Sequence, residues 1–362
     1  MTRDDILADI VVIGAGQAGL SSAYHLTRLG IARGDGFVVL DHAPGPGGAW
    51  QFRWPSLTLT TVNAVHDLPG MGFAEHTGTA DAADSVRASV AVPHYYADYE
   101  REFALPVRRP VHVRVVCDRD GLLRVETDGS TYLARGLINA TGTWERPFVP
   151  YYPGTETFRG RQLHTKDYRN ADEFAGEHVL VVGGGVSAVQ LLDEISRVTA
   201  TTWATRREPV FRDEDFSPEI GRAAVALVEE RVRQGLPPGS VVSVTGLPVT
   251  PSIRAARERG VLDRRPMFDE ITPTGVRWAD GTTLDVDVIF WNTGFRSSLD
   301  HLAPLRLRGP GGGITMTGRL ATQVASDPRI HLVGYGPSAS TIGANRAGRA
   351  AALELTRHLG LR

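Results

Sequence analysis

The chain has 362 residues, 42% of them hydrophobic, with a formal net charge of -2 and one cysteine; it is long enough for two domains with real cores. That charge gives no reason to expect nucleic acid or an anionic membrane as partner, and a lone Cys117 excludes an internal disulfide, a Cys-x-x-Cys redox pair and a cysteine metal site. No window approaches the roughly 18 apolar residues of a membrane span, so a soluble cytoplasmic protein without a metal is expected, with a homodimer compatible.

The first predicted elements are a strand over Ile10 to Ile13, a glycine-rich turn Gly14-Ala15-Gly16-Gln17-Ala18-Gly19, an amphipathic helix to about Leu29, and a strand from Phe37 to Asp41. This is a β-α-β opening with the periods in the expected order. A turn over Pro44 to Gly48 leads to Ala49-Trp50, and His94-Tyr95-Tyr96 begin a helix with a mostly apolar face. From about Val111 to Asn139, β-branched runs alternate with Asp120-Gly121 and Asp128-Gly129, which predicts a β-meander. The plan then repeats: strand Val179 to Val182, turn Gly183-Gly184-Gly185-Val186-Ser187-Ala188, a helix through about Ser196, and strand Thr201 to Thr205. Residues 129–142 and 281–294 align without gaps, and both close on Thr-Gly. The expected fold is therefore α/β, two nested dinucleotide-binding (Rossmann-like) domains, each with a β-meander. Residues 1–150 and 290–362 are read as a discontinuous FAD-binding domain, and 151–289 as an NADPH-binding domain with a partly helical insertion over about 209–269. A strand from Ile330 to Val333 and a helix from Ile342 to Leu359 close the chain.

At the first turn, Gly14, Gly16 and Gly19 permit a tight bend, close approach of a pyrophosphate, and close helix-strand packing. Gln17 and Ala18 open the helix whose free N–H groups face the phosphates. Asp41 can accept hydrogen bonds from ribose hydroxyls and would repel a 2′-phosphate, which favours FAD or NAD over NADP. Gly48 and Trp50 follow at the distance where flavoproteins bring backbone and an aromatic ring to the isoalloxazine, which favours FAD. Thr141-Gly142, Thr293-Gly294 and the helix start at Thr341-Ile342 complete the cofactor-binding candidates. At the second turn, Gly183, Gly185, Val186, Ser187 and Ala188 repeat the cradle. No carboxylate follows the next strand; Arg206-Arg207 stand there instead, where guanidinium groups grip a 2′-phosphate bidentately. The alternative for that pair is a solvated turn.

Phe158-x-Gly160-x-x-x-His164-x-x-x-Tyr168 resembles the fingerprint of the flavin-containing monooxygenases. The likeness spans nearly the whole chain. It is nearest to short bacterial, arsenic-operon-associated flavoprotein monooxygenases, through Pro46-Gly47-Gly48-Ala49-Trp50, Gly142-Thr143-Trp144 and Thr293-Gly294-Phe295-Arg296. The resemblance implies an NADPH-dependent FAD monooxygenase that forms a flavin C4a-(hydro)peroxide with O2 and oxygenates a small molecule. Tyr168 stands where relatives that insert oxygen beside carbonyls carry Trp, which favours nitrogen or sulfur oxygenation over Baeyer-Villiger chemistry. The chain departs from the family at Val186 and at Thr60, both Asn in better-studied relatives; Asn63, three residues on, is the candidate substitute for the second. Arg53 is a candidate for the NADP phosphates or the peroxide, or else a surface ion pair. His164 is read as coupling nucleotide binding to domain orientation, or as a linker histidine making one backbone bond. Trp50, Arg53, Trp54, Asn63 and His66 lie on the loop expected to face the flavin ring. Two alternatives stay open: an NADPH-dependent flavin oxidoreductase or oxidase that never oxygenates a substrate, and a flavin-bearing regulatory subunit.

Overall fold

The structure, a computed structural model, describes residues 5–62, 65–78, 85–212, 218–239 and 246–362. Asn63 lies outside the described residues. The chain forms two compact units, Met1–Thr143 with Val225–Gly239 and Ser297–Arg362, and Trp144–Ala224 with Ser240–Arg296. Among the described residues no helix is long and apolar enough to cross a membrane.

In the first unit, β1 (Asp5–Ile13) lies between β2 (Phe37–Leu40) and β6 (Thr131–Asn139), parallel to both. Beyond them, β3 (Val107–Arg108) pairs with β2, and β19 (Asp327–Leu332) pairs with β6. β17 (Met316–Thr317) and β18 (Gln323–Val324) extend that edge antiparallel, in a sheet of nine strands. β1 starts five residues before the expected Ile10, because it pairs with β6 from Asp5 opposite Thr131 to Ile13 opposite Asn139. Its apolar run is buried, as in a parallel strand covered on both faces. On one face lie α1 (Gln17–Arg28) and the C-terminal α7 (Thr341–His358). They meet through small residues: a Cβ on Gly348 would sit 2.8 Å from Ser21 Oγ and 2.9 Å from Ser22 N. The expected meander is present: β4 (Val113–Arg119), β5 (Leu122–Thr127) and β6 run antiparallel. Asp120 and Gly121 take φ of 53° and 81° between β4 and β5, the positive pair that an Asp-Gly hairpin turn requires. Two more helices complete this stretch, α2 (Phe73–Thr77) and α3 (Ala88–Glu102).

The second unit carries a five-stranded parallel sheet in the order β12 (Arg264–Pro266), β9 (Thr201–Thr205), β8 (Val179–Val182), β16 (Val288–Trp291), β7 (Arg161–His164). α4 (Val186–Ile195) follows β8. The second meander is the antiparallel sheet of β13 (Glu270–Thr272), β14 (Gly275–Arg277) and β15 (Thr283–Asp285). A short parallel pair, β10 (Phe211–Arg212) and β11 (Leu247–Pro248), and the helix α6 (Pro251–Glu258) belong to the insertion.

The insertion differs from expectation in one respect. The sequence pattern puts it wholly in the second domain, but Val225–Gly239, the end of α5 (Pro218–Arg233) and the turn after it, belongs to the first unit. The reason is apolar burial: Val232 is fully buried in a cluster with Leu299, Leu302, Leu307, Ile314 and Met316.

Candidate functional site: two glycine cradles

Each unit puts a glycine turn at the carboxyl end of a strand flanked by partners on both sides, β1 between β2 and β6, and β8 between β9 and β16. That is the topological switch point where open α/β sheets take ligands. The two turns are built alike. Gly14 N donates to Leu40 O at 2.7 Å, and Gly183 N donates to Ala204 O at 3.0 Å. Ala140 N reaches Ile13 O and Asn292 N reaches Val182 O, both at 2.7 Å. A Cβ on Gly14 would lie 2.6 Å from Ala140 O, and one on Gly183 would lie 2.2 Å from Asn292 O. These glycines are demanded by packing. Gly16 and Gly185, the N-caps of α1 and α4, have nothing within 4 Å of an added Cβ, and neither helix has a side-chain cap. The exposed cradle and the uncapped N–H groups fit a pyrophosphate in both units.

Of the remaining first-unit candidates, Gly48 packs directly on Gly16, with an added Cβ 3.0 Å from Gly16 Cα, and Gly48 itself takes φ of 52°. Trp50 follows, half-buried against the core, while Trp54 is buried at 2% exposure. Arg53 is drawn inward, and burial lowers its guanidinium from 12.5 to about 10. Thr60 is exposed in a turn where Thr61 Oγ1 bonds Thr58 N and O. Thr141 Oγ1 accepts from Asn139 Nδ2 at 2.9 Å and donates to Ser298 O at 2.6 Å, and Gly142 turns with φ of 60°. At α7, Ser340 caps Gly343 N at 3.1 Å and leaves Thr341 and Ile342 at the open first turn.

Asp41 is buried at 4% exposure, and Arg109 Nε donates to its Oδ2 at 2.7 Å. The same guanidinium donates to both oxygens of Glu100 at 2.9 Å. Two carboxylates around one arginine keep the place net negative and fix Asp41 by one oxygen. Sequence reading missed Arg109 and Glu100, because nothing in their local pattern announces a partner so far along the chain.

In the second unit, Arg206 and Arg207 are exposed just past β9, with no ion pair among the described residues. Buried Thr205 fixes their turn by donating to Arg207 O at 2.7 Å. Val186, Ser187 and Ala188 form the first turn of α4, with Ala188 buried. Thr293 Oγ1 donates to Phe148 O, and Phe148 N donates to Gly294 O at 2.9 Å. Phe295 stacks on Trp144 with centroids 5.1 Å apart. His164, 3% exposed at the end of β7, meets the edge of Phe295 at 4.8 Å. Its Nδ1 accepts from Lys166 N at 3.2 Å, so its Nε2–H donates to Gly294 O at 2.9 Å. Desolvation by burial lowers its pKa and keeps the ring neutral. Both nitrogens are thus engaged with backbone, and His164 serves as a clamp on Thr293-Gly294.

A family model described as pyridine nucleotide-disulphide oxidoreductase matches residues 11–256. A flavin-containing monooxygenase from Stenotrophomonas maltophilia superposes with a TM-score of 0.81 at 36% identity, over 98% of this chain and 99% of that one. The chain belongs to the flavin-dependent monooxygenase family. Among this family's wider kin, oxidoreductase CzcO of Bacillus subtilis is 28% identical over 300 residues, covering 80% of this chain and 82% of its own. An indole-3-pyruvate monooxygenase of Oryza sativa subsp. japonica is 28% identical over 331 residues, covering 82% and 79%. This flavin-dependent monooxygenase family uses flavin and a pyridine nucleotide with O2 and a small-molecule substrate. The chain has one cysteine and therefore no Cys-x-x-Cys pair for dithiol chemistry.

Proposed function

We propose that the chain is an NADPH-dependent FAD monooxygenase that oxygenates nitrogen or sulfur of a small molecule in preference to inserting oxygen beside a carbonyl. The carrying observation is the contrast between two otherwise equal cradles: a buried carboxylate, Asp41, follows one, and two exposed arginines, Arg206 and Arg207, follow the other. A carboxylate suits the unphosphorylated ribose of FAD, and a guanidinium pair suits the 2′-phosphate of NADPH. When bound, the flavin takes a hydride from the nicotinamide and passes its electrons to O2, chemistry that belongs to the cofactor. The protein's part is to hold and orient. Gly14 and Gly19 set the turn, Gly16 leaves room for the pyrophosphate, and the first turn of α7 offers N–H groups to charge on a reduced ring. The preference for nitrogen or sulfur rests on Tyr168, which is buried and donates to Glu194 Oε2 at 2.8 Å.

A second reading, an oxidase that releases H2O2 without oxygenating a substrate, is favoured by Thr60, an exposed residue where the family resemblance leads one to expect Asn. Rapid mixing of the NADPH-reduced protein with O2 separates the two. A return of the oxidised flavin spectrum delayed by seconds supports the monooxygenase; immediate return with stoichiometric H2O2 supports the oxidase. The nucleotide assignment has its own test. Arg206→Ala with Arg207→Ala is expected to raise KM for NADPH about tenfold or more and leave that for NADH within twofold, the loss of charge-assisted bonds made only by the phosphate. An unchanged preference in steady-state kinetics would sink it.

A further inference from the structure

We infer that Tyr96, Gln17 and Asn345 form one hydrogen-bonded chain that positions the flavin-facing rim of the first unit. The inference rests on the proposal that the first glycine turn holds FAD. Tyr96 on α3 is fully buried, and its hydroxyl donates to Gln17 Oε1. Gln17 is the first residue of α1, inside the glycine turn. Its Nε2 donates to Asn345 Oδ1 at 2.9 Å and to His66 O at 3.2 Å. Asn345, in the first turns of α7, donates from Nδ2 to Asp67 O at 2.5 Å.

The direction of this chain is forced. His66 O and Asp67 O are backbone carbonyls and can only accept, so Gln17 and Asn345 must turn their NH2 groups toward them. Gln17 Oε1 is then left as an acceptor, and Tyr96 must spend its one proton there. One chain of donors therefore runs from α3 through the glycine turn and the start of α7 to the loop at residues 66–67. The last three of these are segments assigned to the flavin, drawn from positions 17 to 345. Polarised in one sense, such bonds reinforce each other, and removing one weakens the rest.

Two neighbouring tyrosines on α3 provide the control. Tyr95 accepts from Leu68 N at 2.8 Å and donates to Met71 O at 2.5 Å, while Tyr99 donates to Pro69 O at 2.7 Å. They fix the same loop but not the glycine turn. Tyr96 and Asn345 are thus positioning residues for the cofactor, and Tyr99 is an anchor for the loop alone.

The test compares the full-length flavin-loaded protein with its Tyr96→Phe, Asn345→Ala and Tyr99→Phe variants. The readouts are the FAD release rate, the visible spectrum of the bound flavin, and hydrogen exchange over residues 65–71. Tyr96→Phe and Asn345→Ala are expected to release FAD about tenfold faster, with a shifted flavin spectrum. Tyr99→Phe is expected to speed exchange in the loop while FAD release stays within twofold of wild type. Wild-type release and spectrum in both chain variants overturn the inference, as does a Tyr99→Phe effect equal to theirs. A wild-type protein that retains no flavin instead removes the cofactor reading beneath it.

Discussion

Gly16 and Gly19 stand three residues apart in one motif, yet different forces require them. A Cβ at Gly19 would lie 1.9 Å from Gly14 O, and backbone cannot yield that distance. Gly19→Ala is therefore expected to destabilise the protein by about 2 kcal/mol or more, since overpacking a tight helix-strand contact shifts backbone. Gly16 has φ of -82°, open to any residue, and free space where its Cβ would go. Gly16→Val should thus leave the denaturation midpoint of the flavin-free protein nearly unchanged and weaken FAD binding at least tenfold by filling the phosphate cradle. Urea denaturation and FAD titration of the two variants check this; equal loss of stability in both would show that Gly16 is a packing glycine too. The motif itself was plain in the sequence, but its division of labour was not, because Gly14 and Gly183 are crowded by Ala140 and Asn292 far along the chain, and Gly19 by the Gly14 carbonyl only once the turn has closed.

At the level of elements, the pairing of α1 with α7 sets how the C-terminal helix meets the glycine turn. Gly348 lies in the middle of α7, where helix propensity alone makes Gly→Ala stabilising by about 1 kcal/mol. Its added Cβ would meet Ser22 N at 2.9 Å and Ser21 Oγ at 2.8 Å. The hydroxyl can rotate away; the backbone nitrogen cannot. Packing is expected to outweigh propensity, so Gly348→Ala should destabilise by about 1 kcal/mol net, and a stabilised variant in thermal denaturation would refute the close contact. The strands, both meanders and the helices after each glycine turn were legible because period and turn chemistry are local signals. The split of the insertion was not: Val232 reads as one apolar residue of an amphipathic helix, and only the cluster around Leu299 and Met316 shows which unit buries it. The tyrosines of α3 read as core from their spacing, and they are buried, but their hydroxyls carry a hydrogen-bonding role that no pattern reveals.

Taken over the whole first unit, three histidines are kept neutral by burial, and together they set how the protein responds to acid. Desolvation lowers His25 and His301 from 6.5 to about 4, and His331 to about 3. His301 donates from Nε2 to Asn139 Oδ1 at 2.7 Å, which ties it to the Thr141 turn. His331 is fully buried; its Nδ1 meets Thr322 Oγ1 at 3.1 Å, while its Nε2 has no hydrogen-bond partner among the described residues. In the unfolded chain each takes a proton near pH 6.5, and in the folded chain none does until about pH 4 or below. The unfolded state therefore binds more protons below pH 6.5, so stability is highest above that value and falls as pH drops toward 4. The slope is about 1.4 kcal/mol per pH unit for each histidine, or roughly 2 kcal/mol each by pH 5, with less from the partly exposed His25. Ordinary carboxylates titrate mostly below pH 5, so the interval from 6.5 to 5 belongs chiefly to these histidines. Denaturant unfolding at pH 7.5, 6.5, 5.5 and 5.0 should show this loss, and His331→Gln should remove about a third of it whatever its own effect at pH 7.5. A pH slope in that variant equal to wild type would mean that His331 already shares its proton with the folded state.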